Sequence, residues 1–97
     1  MESPAVAADT MESGLQDIRM SSMGSSKKII VVNKTGHFMV TEVIVDIVSS
    51  AKPSESERIK FEVEAEPLTK DHSPFVDTTI DGEFMWTVVS VKGRRYR

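Results

Sequence analysis

Two segments of this chain are apolar at both alternate positions, and no other feature of the sequence constrains the fold as strongly. Residues 38–48 read FMVTEVIVDIV, and residues 84–91 read FMWTVVSV. Successive side chains of a β-strand point to opposite faces of the sheet, so a strand with one wet face needs apolar residues at every second position only. A fold built from these segments therefore has to cover both of their faces.

The residues that favour strands, which are the β-branched and aromatic ones, lie in short runs separated by turn residues. These runs cover residues 28–32, 38–48, 58–66, 75–80 and 83–91. The third run alternates strictly, with Ile59, Phe61 and Val63 on one face and charged side chains on the other. We therefore predict an all-β fold, which is a small antiparallel sandwich or barrel of about five strands.

Two turn sequences predict hairpins. Residues 33–36 read NKTG between the first two runs, and residues 81–82 read DG between the last two. Asp-Gly favours a two-residue hairpin loop because a type I′ turn needs positive φ at both of its central positions. The second hairpin would place Thr79 opposite Phe84.

Three arrangements would cover both faces of the apolar segments. A β-bulge near Thr41 and Glu42 would move the following side chains to the other face. A second layer from within the chain would serve, and so would a second copy of the chain. We favour the second copy, because a core this small seldom contributes more than a few kcal/mol by itself.

The predicted protein is therefore a homodimer, formed through strand edges or through the second apolar face. The residues expected on this self-association or ligand face are Phe38, Val40, Ile44, Phe84, Trp86 and Val88.

Composition divides the chain into three parts. Residues 1–26 are rich in Ser, Ala and Met and contain no aromatic residue, which predicts a disordered N-terminal arm. Residues 27–91 are the predicted β domain, and residues 92–97 are a basic C-terminal tail. One apolar stripe in the arm has helical spacing, which would suit a short helix formed on binding a partner. It consists of Met11, Leu15 and Ile18.

The basic tail predicts contact with an anion. Its members are Lys92, Arg94, Arg95, Tyr96 and Arg97. Positive charge beside an aromatic ring suits phosphate contacts with stacking, or an anionic membrane surface. The net charge of the whole chain is −3, which does not favour a general nucleic-acid binder, so any such activity is expected to lie in the tail.

Catalytic and metal-binding patterns are missing from the sequence. The chain has no Cys, which excludes disulfides, thiol chemistry and Cys-ligated metals. His72 lies between Asp71 and Ser73, and neighbours in sequence cannot form a catalytic triad. There is no glycine-rich nucleotide-binding motif. We expect no enzymatic activity, no cofactor and no metal.

The sequence therefore predicts a non-enzymatic interaction or assembly module, of the kind found among small accessory proteins, that binds itself and an unidentified protein partner. The alternative is a protein that binds nucleic acid or an anionic surface through its basic tail. A third hypothesis is a lipid-like ligand held in an apolar cavity between the sheets. Because no apolar run approaches the roughly 20 residues that span a bilayer, and no secretory signal is apparent, we expect an intracellular location. The cytoplasm is the default, and the nucleus stays open.

Overall fold

The computed structural model describes residues 16–95, which form seven strands in two antiparallel sheets. The strands are β1 (Gln16–Met23), β2 (Ser26–Asn33), β3 (Phe38–Ser49), β4 (Ser56–Ala65), β5 (Lys70–His72), β6 (Val76–Asp77) and β7 (Phe84–Arg95). One sheet has the order β1-β2-β5 with β6 also beside β2, and the other has the order β4-β3-β7. The predicted all-β class is confirmed, with seven strands instead of about five. Within the described residues neither sheet closes into a barrel, and the arrangement fits a sandwich.

The inner faces of the two sheets meet in one apolar core. β2 contributes Ile29 and Val31, and β3 contributes Val45, all of them fully shielded from solvent. β4 follows the predicted alternation, since its inward residues from Ile59 to Ala65 are buried and the charged residues between them are exposed. The strict period of two is what a strand with one wet face requires.

A β-bulge in β3 explains why that strand is apolar at both alternate positions. Val40 pairs with Gly93 of β7, and Glu42 pairs with Lys92. Thr41 is therefore an extra residue that has no pairing partner in β7. An extra residue moves the following side chains to the opposite face. Of the three arrangements that the sequence left open, the structure shows the bulge near Thr41 and Glu42 and not the favoured second copy, which stays a prediction. Its consequence is that the even-numbered residues before it share the inner face with the odd-numbered residues after it.

A second bulge has the same effect in β7. Ile44 pairs with Ser90 and Val45 pairs with Val88, which leaves Val89 as the extra residue. Phe84, Trp86 and Val88 before this bulge consequently face the same core as Val91 after it. Most of the doubled apolar character is thus satisfied within one chain.

Gly93 marks the point where β7 passes closest to β3. A Cβ atom at this position would collide with the backbone carbonyl of Met39. Only glycine allows so close an approach between the two backbones.

Both predicted hairpins are wrong. β2 and β3 lie in different sheets, so residues 34–37 carry the chain from one sheet to the other. β6 pairs with β2 and β7 pairs with β3, so Thr79 does not lie opposite Phe84. The reason is that Ile80 enters the core, with 1% of its surface exposed, while the Thr78 amide donates to the carbonyl of Ser25. These long-range contacts outweigh the local preference of Asp-Gly for a tight hairpin.

Two predicted boundaries also differ from the structure. Residues 16–23, which the sequence assigns to a disordered arm, form β1, because Ile18 and Met20 pair beside Val31 and Ile29 and extend the apolar face of the sheet. The hairpin from β1 to β2 turns at Gly24, whose φ is 62°. The rest of the predicted arm, including most of its helical stripe, lies outside the described residues.

The basic tail is shorter than predicted. Its residues from Lys92 to Arg95 belong to β7, where the pairing with β3 continues to the last described residue. Tyr96 and Arg97 lie outside the described residues.

Buried polar side chains lie at the two ends of β2, where Asn33 bonds to strands of the other sheet and Lys27 bonds to the β1–β2 turn and to the segment before β7. Asn33 is 1% exposed, and its Nδ2 atom donates to the carbonyls of Phe38 and Ala65, at 2.8 Å each. Lys27 is fully buried, and its Nζ atom donates to the carbonyls of Gly24 at 2.8 Å and Ile80 at 2.7 Å. Satisfied hydrogen bonds offset the cost of burying these groups. Each end of the sandwich is therefore held by a polar side chain from β2.

Candidate functional site

The two long sides of the sandwich differ in how their strand edges are covered. On one side β4 and β5 approach each other, and the backbone amide of Glu64 donates to the Asp71 carboxylate at 2.9 Å. On the other side β1 and β7 are the outermost strands of their sheets, and each is paired along one edge only. We call this second side the open side. Unpaired strand edges are templates for pairing with another chain.

Apolar side chains lie half-exposed along the open side. They point toward the core from its two strands, and they are Ile18 and Met20 from β1 and Phe84, Trp86 and Val88 from β7. At one end of the row the Lys27 ammonium lies 4.7 Å from the centre of the Phe84 ring, which is a cation–π contact. The half-exposed apolar surface would gain free energy if a partner covered it.

The predicted self-association face is brought together only in part. Phe38, Phe84, Trp86 and Val88 lie on the inner face of their sheet and are partly buried. Val40 shares that face but has no exposed surface. Placing Ile44 with them is wrong, because the bulge at Thr41 turns it to the outer face, opposite Lys60 of β4 and Ser90 of β7.

β7 has two unlike halves. Its first half, residues 84–88, contains no charged residue and pairs regularly with β3. Its second half contains the bulge at Val89 and the cations Lys92, Arg94 and Arg95. Bulges and charges are the features that protect edge strands from unwanted pairing. The first half is therefore the stretch of this edge that lacks such protection.

The outer face of the sheet β4-β3-β7 is mostly polar. Arg58 donates from Nε to Asp46 Oδ1 at 2.8 Å, and this hydrogen bond lowers the pKa of the Asp46 carboxyl. A second ion pair across the sheet joins Lys92 and Glu42 at 3.8 Å. Met85 is the large apolar residue exposed here, at 64%. Of the two predicted routes to self-association, this polar face favours the strand edge.

A second candidate surface lies where β2 and β7 end, and we call it the basic end. Its four exposed cations come from separate segments and are Lys34, Lys70, Arg94 and Arg95. Lys34 follows the last residue of β2, and Lys70 at the start of β5 lies opposite Val32. Arg94 and Arg95 lie opposite the first two residues of β3. Of these four, the predicted tail contained only the two arginines.

Aromatic groups accompany the cations at the basic end. The rings of His37 and Phe38 stack with 5.5 Å between their centres, and the Arg95 guanidinium lies 6.0 Å from the centre of the Phe38 ring. His37 is exposed. The sequence does not single out this residue, because nothing local shows that residue 37 meets the end of β7.

Ser73, one of the residues considered for catalysis, has a structural role. The Ser73 hydroxyl is buried, accepts from the amide of Ile29 at 3.1 Å and donates to the carbonyl of Pro74 at 2.9 Å. The hydroxyl thus takes part in the pairing of this segment with β2. His72 is exposed beside it. Over residues 16–95, no group of three metal-ligating side chains comes together, and there is no helix of the length and apolarity that a membrane crossing needs.

Comparison with known proteins adds no functional information. No protein-family model, curated protein or solved structure matches this chain. The two surfaces described above are therefore the basis for assigning a function.

Proposed function

We propose that the protein is a non-enzymatic assembly module that pairs with a second copy of itself through the open side. The observation that supports the proposal is the uncharged, unpaired edge of β7 at residues 84–88, beside the half-exposed Trp86. Pairing there would complete the hydrogen bonding of the edge and remove apolar surface from water. The two sheets of the pair would become continuous.

The charges on β7 favour an antiparallel pair. Asp81 and Glu83 precede the strand, and Lys92 and Arg94 lie near its other end. Antiparallel pairing brings the acidic end of one copy toward the basic end of the other, whereas parallel pairing brings like charges together. An antiparallel pair of identical strands has two-fold symmetry, which is the commonest symmetry of soluble oligomers.

The register follows from the faces of the strand. Residues directly opposite in an antiparallel pair point to the same face. The two-fold axis must therefore lie midway between the two copies of one residue, so that this residue is paired with itself and not with its neighbour in sequence. Centring the axis on Trp86 uses the whole uncharged half of β7. Met85 then lies opposite the partner's Thr87, and Phe84 lies opposite the partner's Val88.

Charge-reversed variants of the two outward-facing residues test this register. Met85 and Thr87 are both exposed, so substitution does not disturb the core. Met85→Lys/Thr87→Lys places like charges opposite each other in the proposed pair, whereas Met85→Glu/Thr87→Lys places opposite charges there. The second variant is the matched control, because it carries the same Thr87→Lys change. Analytical ultracentrifugation of the full chain measures the association of each.

The native chain is expected to sediment with twice the mass of one chain at high micromolar concentration. The like-charge variant is expected to dissociate at least about tenfold more readily, and the opposite-charge variant is expected to stay dimeric. A native chain that remains monomeric would refute self-association. Equal behaviour of the two variants would refute the proposed register and with it the assignment to this edge.

Two further predictions from the sequence are compatible with this proposal. The intracellular location and the unidentified protein partner are compatible with an exposed strand edge, which accepts a strand from another protein as readily as one from a second copy. A lipid-like ligand between the sheets would have to separate residues that pack on one another in the core, such as Ile29, Val45 and Phe61.

A further inference from the structure

We infer that the basic end is a binding site for single-stranded nucleic acid, in which the folded body acts together with the end of β7. The site extends the predicted tail by two lysines that lie far from it in sequence. In the part of the chain that the structure describes, no ion pair engages Lys34, Lys70, Arg94 or Arg95. All four side chains are exposed, so their charge is available to a ligand. Lys70 lies opposite Val32 on the outer face of one sheet, and Arg94 lies opposite Met39 on the outer face of the other, so a ligand that meets both has to pass around the end of the sandwich.

Hydrogen bonds of Asn33 hold the backbone beside Lys34 and Lys70 in place. The Asn33 amide bonds to the carbonyls of Phe38 and Ala65 and so ties together the end of β2, the start of β3 and the end of β4. Lys34 follows Asn33 directly. The backbone N–H of Asn33 donates to the carbonyl of Thr69, which is the residue before Lys70. A surface held in place before binding loses less conformational entropy when the ligand arrives.

The aromatic groups favour a single strand over other anions. Unpaired bases stack on aromatic rings and on arginine planes, whereas a duplex keeps its bases stacked internally. The exposed His37 ring, supported by Phe38, and the Arg95 guanidinium offer such stacking surfaces among the cations. A lipid headgroup or a sulfated sugar would use the cations but not the rings.

Five carboxylates lie too far away to cancel this charge. The acidic residues at the opposite end of the sandwich are Glu55, Glu57, Asp77, Asp81 and Glu83. The molecule is 44 Å long, whereas charges are screened over about 8 Å at physiological ionic strength. The net charge of −3 therefore does not describe the potential at the basic end.

Some carboxylates also lie near the basic end. Asp17 is neutralised by Arg19 at 3.2 Å. Asp71 accepts a hydrogen bond from the backbone amide of Glu64 but keeps its negative charge, and Glu64 and Glu66 are exposed. Four cations against these three carboxylates leave a small positive excess.

Fluorescence anisotropy with a labelled oligo(dT) of about 20 nucleotides, using the full chain, tests the inference. Lys34→Gln/Lys70→Gln removes the two lysines of the body and leaves the tail intact. Lys28→Gln/Lys52→Gln removes the same charge elsewhere and is the matched control. Substitution is preferable to deleting residues 92–97, because deletion would also shorten β7 and remove Gly93 from its contact with Met39. Thermal unfolding confirms that each variant is folded.

Native binding is expected to weaken about 50-fold between about 50 and 200 mM salt, as four phosphate contacts on a single strand imply. Loss of two contacts is expected to weaken binding about tenfold at physiological salt and to lower the salt dependence, with less than about a twofold effect in the control. Equal losses in the two variants would show a general charge effect and overturn the site. Binding to heparin or to vesicles containing phosphatidylserine, without binding to the oligonucleotide, would overturn the nucleic-acid assignment.

Discussion

β4 and β7 reach the same apolar core by different patterns. β4 places every second residue in the core and leaves the charged residues between them in water, without a break in that alternation. β7 turns the even-numbered side chains of its first half and the odd-numbered ones of its second half toward the core, because the bulge at Val89 lies between them. An apolar segment with both parities is therefore, in this molecule, a bulged strand with one inner face.

This difference changes the argument for a dimer. If both faces of β7 were apolar along the whole strand, a second chain would be needed to cover the outer one. With the bulges in place, the outer face of that sheet carries ion pairs such as Arg58–Asp46 and Lys92–Glu42. The case for self-association consequently rests on the unpaired edge of β7 and not on a second apolar face.

Removing the bulge in β7 is the change with the largest expected effect. Deletion of Val89 would force the first half of the strand to turn over and expose Phe84, Trp86 and Val88. Full burial of a large apolar side chain is worth about 1.5–3 kcal/mol. These three are partly buried, so exposing them would cost about half of the sum for full burial, which is a large share of the stability of a small domain. We expect the variant to lose cooperative unfolding in urea and to show the fluorescence of a solvent-exposed Trp86.

The control for this deletion is Val89→Ala, which keeps the extra residue and trims a half-exposed side chain. We expect this variant to lose less than about 1 kcal/mol in the free energy of unfolding. A deletion variant as stable as Val89→Ala would show that the bulge does not determine which face of β7 is buried.

How far the sequence predicts the fold depends on where the determining contacts lie. The alternation of Ile59, Phe61 and Val63 is local, and it predicts β4 together with its buried face. The bulge at Thr41 was one of three arrangements that the doubled pattern allowed. Nothing in the sequence selected it, because a bulge depends on the register with the neighbouring strands.

Strand pairing was beyond local reasoning. Residues 16–23 contain few strand formers, and they become β1 because Ile18 and Met20 complete an apolar face beside β2. Asp-Gly at residues 81–82 is a strong hairpin signal, yet the chain there crosses between the sheets. The reason is that β6 pairs with the edge of β2 and Ile80 is buried in the core.

The candidate sites were predictable to different degrees. Phe84, Trp86 and Val88 lie on one face of β7 as the alternation predicts, because that pattern is local in sequence, and their part in self-association stays a prediction. The basic end was found only in part. The sheet topology places Lys34 and Lys70 at the same end of the sandwich as Arg94 and Arg95, which no spacing in the sequence reveals.

Alanine substitutions along β3 test the first bulge with an effect of intermediate size. Val40 and Val43 have no exposed surface, although one is even-numbered and the other odd-numbered, whereas Ile44 is half-exposed on the outer face. We expect Val40→Ala and Val43→Ala to lower the free energy of unfolding by about 2 kcal/mol each, and Ile44→Ala by less than about 1 kcal/mol, in urea denaturation. A cost for Ile44→Ala that matched Val40→Ala and exceeded Val43→Ala would place the even-numbered residues on one continuous face and contradict the bulge.

The smallest expected effect concerns the polar face that β4 shares with β3. Hydrogen bonding from Arg58 lowers the pKa of Asp46 in the folded state, so the pair stabilises the fold above the ordinary Asp pKa of about 4. That stabilisation is lost as the pH falls through the lowered pKa, because the folded state then binds the proton that the unfolded state already holds. Since the side chains of Arg58 and Asp46 are 63% and 38% exposed, solvent screening limits the effect, and we expect Asp46→Asn to lower the free energy of unfolding by about 0.5 kcal/mol at neutral pH.

The measurement for this pair is urea denaturation of the native chain and of Asp46→Asn at several values of pH. We expect the difference between them to be constant above about pH 5 and to shrink toward zero in more acidic solution. Arg58→Gln is expected to follow the same course, because it removes the other half of the same ion pair. If the difference in the free energy of unfolding stayed unchanged in acid, Asp46 would support the polar face of β4 through packing. The ion pair with Arg58 would then contribute nothing to the stability of the outer face.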